Sequence, residues 1–191
     1  MSLYVEDRII LDLCGGTGGW SAPYRDAGYD VRIIDPYADT GDVRLLENPG
    51  EVWGILCAPP CTHLTVSGAR WWASKGDAAL LEALSVVDAC LRIVHVSRPQ
   101  WWALENPVGR LMRFLGPPAF TFDPCDFGDP YTKRTCLWGS FRRPRKSRVD
   151  PIRVCSQGSW IQKLGGKSER TKRLRSVTPA GFAKAFYEVN R

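Results

Sequence analysis

Two cysteines bracket Ala-Pro-Pro in 57-CAPPC-61, and about 44 residues later an acid precedes an amide and a proline in 105-ENP-107. Pro59 and Pro60 each hold φ near −65° and remove a backbone donor, so the chain ahead of Cys61 is stiff and cannot continue a central strand. A thiol presented this way has three uses open to it: ligating a metal, packing a turn, or attacking an electrophile. Zinc takes four ligands from Cys, His or carboxylate. The nearby supply is Cys57, Cys61 and His63, and the two prolines leave little freedom to bring both sulfurs onto one ion, so no metal is expected. His95 falls in a helical pattern and reads as packed or capping. A nucleophile needs a lowered thiol pKa, which a loop between a strand end and a helix N-terminus can supply. Glu105 closes an apolar run, where desolvation would raise its pKa and fit it to donate or share a proton. Its plainer reading is a surface acid before a proline turn.

The elements that must position these groups alternate along the chain. Residues 8–13 (RIILDL) read as a buried strand, followed by the turn 15-GGTGG-19 and a short helix over 21–28 with Ser21 as cap and Gly28 as stop. A second strand, 30–35, ends in Asp35. A weak third is expected near 43–46 and a fourth at 52–58, running into the Pro-Pro-Cys loop. The longest helix spans 77–94, and a fifth strand, 101–106, ends at Glu105-Asn106-Pro107. Short strands at 119–122 and 135–139 follow, and a terminal helix is capped by Thr178 with Pro179 in its first turn. This order predicts an α/β fold, a mainly parallel sheet covered by helices on both faces. Ligands of such sheets sit beyond the carboxyl ends of the strands. The glycine turn, Asp35, the Cys61 loop and Glu105 all fall there, which argues for one shared site. The glycine turn lets backbone approach a ligand, or simply makes a tight strand-to-helix turn. Asp35 reads either as a turn acid or as a partner for two ribose hydroxyls. Together they suggest an adenosine-bearing cofactor.

Charge is placed unevenly. Residues 1–138 carry 12 Lys and Arg against 17 Asp and Glu, a net −5, while 139–191 carry 14 against 3, a net +11, recovering the overall +6. The basic clusters 142-RRPRKSR-148 and 167-KSERTKRLR-175 attract polyanions by releasing their counterions. Aromatic residues Trp138, Phe141 and Trp160 lie among them, which favours nucleic acid over mere solvation. Seven cysteines, only two of them close together, read as reduced thiols in a cytoplasmic protein. No run is long enough to span a membrane, and a monomer is favoured.

In this arrangement the chain resembles the cytosine-C5 DNA methyltransferases. Their Asp-Leu-Phe-Cys-Gly-x-Gly-Gly is similar to 12-DLCGGTGG-19, with Cys14 in place of Phe; their Gly-Asp-Ile is similar to 41-GDV-43. Their Pro-Cys-x-x-Phe-Ser is matched by 60-PCTHLT-65 and their Glu-Asn-Val by 105-ENP-107. The Phe-Gly-x-Pro-Gln-x-Arg-x-Arg element is partly met by 127-FGDPYTKRT-135, where Tyr131 replaces Gln, Lys133 the first Arg, and Thr135 the second. A late Arg-x-Leu-Thr-Pro is echoed by 175-RSVTP-179. The set runs in order over residues 12–179.

The resemblance implies a Rossmann-like class I S-adenosylmethionine-dependent methyltransferase. It also implies methyl transfer to C5 of cytosine in DNA through a covalent Cys61 adduct. Glu105 would protonate or hydrogen-bond N3, Asn106 would order the loop, and Lys133 or Arg134 would hold the base O2 or a phosphate. S-adenosylmethionine would be held by Asp12, Cys14, Gly15, Gly16, Thr17, Gly18, Gly19 and Trp20, by Asp35 and Pro36, by Asp42 and Val43, and by Pro59 and Pro60. DNA, single-stranded or with the cytosine flipped out, would meet Thr62, Thr65, Arg142, Arg143, Arg145, Lys146, Arg148, Lys172, Arg173 and Arg175; RNA is a possible substrate. Three units follow: a catalytic core over 1–138, a short basic segment over 139–177 in place of a target-recognition domain, and a C-terminal helix over 178–191 packing on the core. With about forty mostly basic residues where the family carries that domain, sequence specificity is expected to be low or very short. The family's closing Gly-Asn motif is missing, and such compact forms resemble those encoded by bacteriophages. Transfer to RNA or to a nucleotide, and a non-catalytic binding homologue, are the competing readings.

Overall fold

A computed structural model describes residues 4–164 and 168–191; Lys167 of the second basic cluster lies outside them. Six strands form one sheet in the order β2-β1-β3-β4-β6-β5: β1 Ile9–Leu13, β2 Asp30–Ile34, β3 Gly54–Cys57, β4 Trp101–Pro107, β5 Phe120–Phe122 and β6 Thr135–Ser140. The four strands β2, β1, β3 and β4 are parallel, whereas β6 runs antiparallel to both β4 and β5. The weak strand expected at 43–46 is absent. Val43 to Leu45 form a turn instead, with Val43 buried and Arg92 donating to the carbonyls of Val43, Arg44 and Leu46.

The period-2 alternation of the strands sorts their side chains onto two faces. Leu11, Leu13, Ile55, Cys57, Leu104 and Cys136 pack with Val87, Cys90 and Ile93 of helix α2 (Trp72–Ser97). Ile10, Leu56, Ala103 and Leu137 face the other way, onto helix α1 (Ala22–Asp26) and the terminal helix α6 (Ala180–Val189). That second layer is aromatic. Phe182 stacks on Phe122 with ring centroids 4.0 Å apart, and Tyr24 stacks on Trp101 at 5.4 Å. Such pairs add about 0.5–1.5 kcal/mol each beyond burial, so α6 is a structural part of the core.

The β1–α1–β2 and β3–α2–β4 connections thus lie on opposite faces and part company between β1 and β3. That is the crevice where open α/β sheets take their ligands. Ser21 holds the N-cap position of α1 as expected, but its hydroxyl makes no capping bond and donates to Asp12 Oδ2 at 2.5 Å; the other expected cap is corrected, since Pro179, not Thr178, occupies the N-cap of α6. The long helix begins earlier than its apolar period suggested, at Trp72. Gly76 interrupts it with φ +70°, so that residues 72–75 form a separate turn. Among the described residues no helix is long and apolar enough to cross a membrane.

Candidate active site

The Pro-Pro-Cys loop leaves the carboxyl end of β3 and is tied to the neighbouring end of β4. Asn106 is fully buried, and its Nδ2 donates to the Pro59 carbonyl at 2.9 Å. Prolines offer no N–H for a reciprocal bond, so a side-chain amide is a fitting donor to hold this segment. The Cys61 carbonyl then accepts from Leu64 N–H at 2.9 Å and Thr65 N–H at 3.0 Å, turning the chain back. Beyond that turn two loops zip together: Val66 N–H donates to Val108 O at 3.0 Å and Arg110 N–H to Leu64 O at 2.8 Å. Gly109 makes this approach possible, because a Cβ there would lie 2.0 Å from the Leu64 carbonyl oxygen. The sequence reading passed over Gly109; its only signal was a glycine shortly after Glu-Asn-Pro.

Cys61 and Glu105 are both half-buried at this edge, and the Glu105 charge acts on the thiol. The lowered thiol pKa expected of this loop is not met: burial raises the Cys61 thiol, the Glu105 carboxylate raises it further, and Lys133 and Arg175 offset this only in part, so the thiol needs a neighbouring group to take its proton. Glu105 is raised by burial and opposed by Lys133. Tyr131, pushed up to about 12 by burial, then Asp129 and then Glu105, stands beside the same carboxyl. Arg175 arrives from helix α5 (Glu169–Ser176), its guanidinium donating to Ser67 Oγ at 3.3 Å and Leu164 O at 3.4 Å. Arg134 turns elsewhere, to Asp123 at 3.2 Å and Thr121 at 3.0 Å, so of the two adjacent cations Lys133 is the one that faces the Cys61–Glu105 pair. Next to Lys133, helix α4 (Trp160–Lys163) is docked through Gln162, which donates to Thr132 O at 2.7 Å, and through Trp160 against the Tyr131 ring at 5.2 Å.

At the end of β1 the glycine turn is built around two carboxylates. Asp12 is fully buried beneath it, and a Cβ on Gly15 would fall 2.3 Å from the Asp12 Cγ. Asp35 accepts from Gly16 N–H at 2.8 Å, clasping the turn from β2. Cys14 and Gly18 have φ of +59° and +70°. The exposed side of the turn is at Gly16, where an added Cβ would meet nothing within 4 Å. Gly19 and Thr17 continue the turn towards Thr178. Trp20 does not line the crevice: it is 2% exposed and packs on Phe182 and Phe186. Pro36 opens an exposed helical turn, Asp42 is ion-paired with Arg44 at 2.6 Å, and Pro59 is buried while Pro60 is exposed.

The basic residues separate into two groups. Because β6 runs antiparallel to β4, it carries the chain from the Glu105 edge to the opposite edge, about 17 Å over six residues. Arg142 and Arg143 emerge there, with Arg142 N–H bonded to Asn190 Oδ1 at 2.7 Å. The chain then returns along residues 125–130, where Ser147, Val149 and Ile152 N–H groups bond Asp126, Cys125 and Pro130 carbonyls. Arg145 and Arg148 are exposed on this return, and Lys146 pairs with Asp126 at 2.9 Å. The two basic clusters thus lie apart: 142–148 starts at the far edge, whereas Arg175 reaches the Cys61 loop and Lys172 and Arg173 sit exposed on the same helix. Thr62 is exposed beside Cys61, and Thr65 is half-buried in a bridge to Gly109.

No protein-family model and no curated protein matches the chain. Among solved structures, one assigned as a DNA modification methyltransferase encoded within an E. coli prophage aligns at 17% identity with a TM-score of 0.51, over 85% of this chain and 56% of its own. The likeness is one of fold, a six-stranded α/β sheet covered by helices on both faces. The Entamoeba histolytica methyltransferase EhMeth aligns at 12% identity (TM-score 0.45, 85% and 61% covered). A variant of Spodoptera frugiperda DNMT2 aligns at 16% (TM-score 0.38, 85% and 60%). The chain thus spans 56 to 61% of the length of these proteins. Within this fold the glycine turn follows β1 and the Pro-Pro-Cys loop follows β3, so the two flank the β1–β3 crevice.

Proposed function

We propose that this chain transfers a methyl group from S-adenosylmethionine to C5 of cytosine in DNA, with low or very short sequence specificity, through a covalent bond from Cys61 to C6. The observation that carries this reading is the tie of the Pro-Pro-Cys loop to the end of β4, Asn106 Nδ2 to the Pro59 carbonyl at 2.9 Å, which leaves the Cys61 thiol within the field of the Glu105 carboxylate, with Lys133 acting on both. The glycine turn fits the cofactor: its open side is at Gly16, and the buried Asp12 and Asp35 hold its backbone in the positive-φ form. S-adenosylmethionine supplies an electrophilic methyl carbon when bound there and departs as a neutral thioether.

The residues divide the work as follows. The Cys61 thiol gives up its proton, for which the raised Glu105 carboxylate is the adjacent acceptor, and the sulfur adds to C6 of the ring. Glu105 then holds that proton at N3, so the electrons displaced from the C5–C6 double bond gather at C5, which takes the methyl group. Loss of the C5 proton to a base restores the double bond, expels the Cys61 sulfur, and returns N3 to its starting state. Lys133 steadies negative charge on Glu105 and on the departing thiolate. Asn106 keeps the Pro59 carbonyl, and hence the direction of the sulfur, fixed. A cytosine can be reached at C5 and C6 only out of the base stack, so the target is unpaired or flipped.

The test is incubation with methyl-labelled S-adenosylmethionine and single-stranded DNA, duplex DNA, RNA or dCMP, followed by digestion to nucleosides. Label on 5-methylcytosine from DNA, and a stable adduct on 5-fluorocytosine DNA that Cys61→Ser cannot form, are the expected results. Label only from RNA or dCMP would move the substrate to those classes. Cofactor binding with no label anywhere would leave a nucleic-acid-binding homologue.

A further inference from the structure

The first 138 residues carry net negative charge, yet the two loops zipped together beside Cys61 do not. Residues 62–76 and 109–114 contain Arg70, Lys75, Arg110 and Arg113 and no Asp or Glu. The same stretch exposes large apolar side chains: Trp71 is 50% exposed, Phe114 50% and Val66 54%. The aromatic and cationic groups are organised against each other. The Arg110 guanidinium lies 4.4 Å over the Trp72 ring, and Arg70 lies 5.2 Å from the Trp71 centroid. Lys75 reaches the Thr62 carbonyl at 3.5 Å, tying the helical turn 72–75 to the residue after Cys61. Lys75 and Arg110 both press on the half-buried His63, lowering its pKa after burial has done so, and Glu82 offsets them only in part. Glu82 is itself paired with Arg44, and Asp77 stands beyond the Gly76 break.

We infer that Trp71, braced by Arg70 in a stretch that also carries Lys75, Arg110 and Arg113, is a stacking platform for an unpaired base of a single-stranded nucleic acid entering the Cys61 crevice. An exposed indole with a guanidinium against it, in loops that hold four cations and no acid, suits a strand that offers both phosphates and open base faces; a duplex offers phosphates but hides its faces. Arg175, bonded to Ser67 in the same loop, extends the cationic track across Cys61. The inference rests on the proposed reading only for what lies at the end of the track, and binding can be measured without turnover.

The experiment is fluorescence anisotropy of a labelled 20-nucleotide single strand and of the matching duplex, without cofactor, over a salt series. Trp71→Ala is expected to weaken single-strand binding about 10-fold, since each stacked base contributes on that order, while changing duplex binding less than about twofold. Trp71→Phe is expected to restore most of the loss. The slope of log affinity against log salt should be unchanged in Trp71→Ala but shallower by about 1.4 in Arg70→Ala/Lys75→Ala, as two phosphate contacts are removed. Equal loss on both strand types, no loss, or no single-strand binding by the native chain would overturn the platform. Absence of methyl transfer with this pattern intact would instead overturn the enzymatic reading alone.

Discussion

Asp12→Asn isolates the electrostatic strain held under the glycine turn. The Asp12 carboxyl is fully buried and pushed up to about 6 from 3.8, first by desolvation and then by the Asp35 charge, against the Ser21 hydroxyl and Arg25. A rise of about two units corresponds to roughly 3 kcal/mol between the two protonation states. In the native protein this group keeps its proton up to about pH 6, whereas in the unfolded chain it loses it near pH 4. Between those values the native state binds more protons, so stability falls as pH rises through the window and levels off above it. Asparagine has nearly the same shape, can keep a bond to Ser21, and does not titrate. Urea unfolding followed by tryptophan fluorescence from pH 4 to pH 8 reads the difference. The stability of Asp12→Asn relative to the native chain should grow by about 3 kcal/mol between pH 4 and pH 7 and then stay level. If the two profiles run parallel, Asp12 carries no unrelieved burial cost, and the account of the turn is wrong.

Two further outcomes follow from the site. Glu105→Gln removes a charge that raises the Cys61 thiol, so the pH midpoint for alkylation of Cys61 by iodoacetamide, read by peptide mass spectrometry, should fall. Lys133→Met should move it upward and Arg134→Ala should leave it in place; a midpoint indifferent to Glu105 and Lys133 would dissolve the cluster. Gly109→Ala must displace the Leu64 backbone and should cost more than about 2 kcal/mol with loss of adduct formation. Gly128→Ala, in the left-handed region with φ +92° and nothing within 4 Å, should cost only about 1–2 kcal/mol of backbone strain in the same unfolding assay.

Much of the site was readable because its signals are local. Pro59 and Pro60 stop a strand wherever they occur, and the alternation in β1, β3 and β4 reports a sheet with two covered faces. The readings that slipped have causes elsewhere in the chain. Val43 and Leu46 are apolar like a strand, but Val43 is buried through a turn tied by Arg92 rather than through pairing. Trp20 follows the glycine turn in sequence, yet its indole serves the α6 layer. Ser21 looked like a cap because its type suits one, and the buried Asp12 claimed its hydroxyl instead. Gly109 carried no warning, since its need for a bare backbone comes from Leu64 on another loop.

The sequence by itself determined where the chain stiffens, where it turns, and which residues share a strand face, because steric limits on φ and the period of burial are properties of near neighbours. Only the tertiary structure decided that Arg175 returns to the loop after Cys61, that Lys133 rather than Arg134 faces Glu105, and that the 142–148 cluster starts at the far edge of the sheet. Those outcomes depend on the antiparallel direction of β6 beside β4, and strand direction is set by how distant segments pack, which no stretch of neighbouring residues encodes.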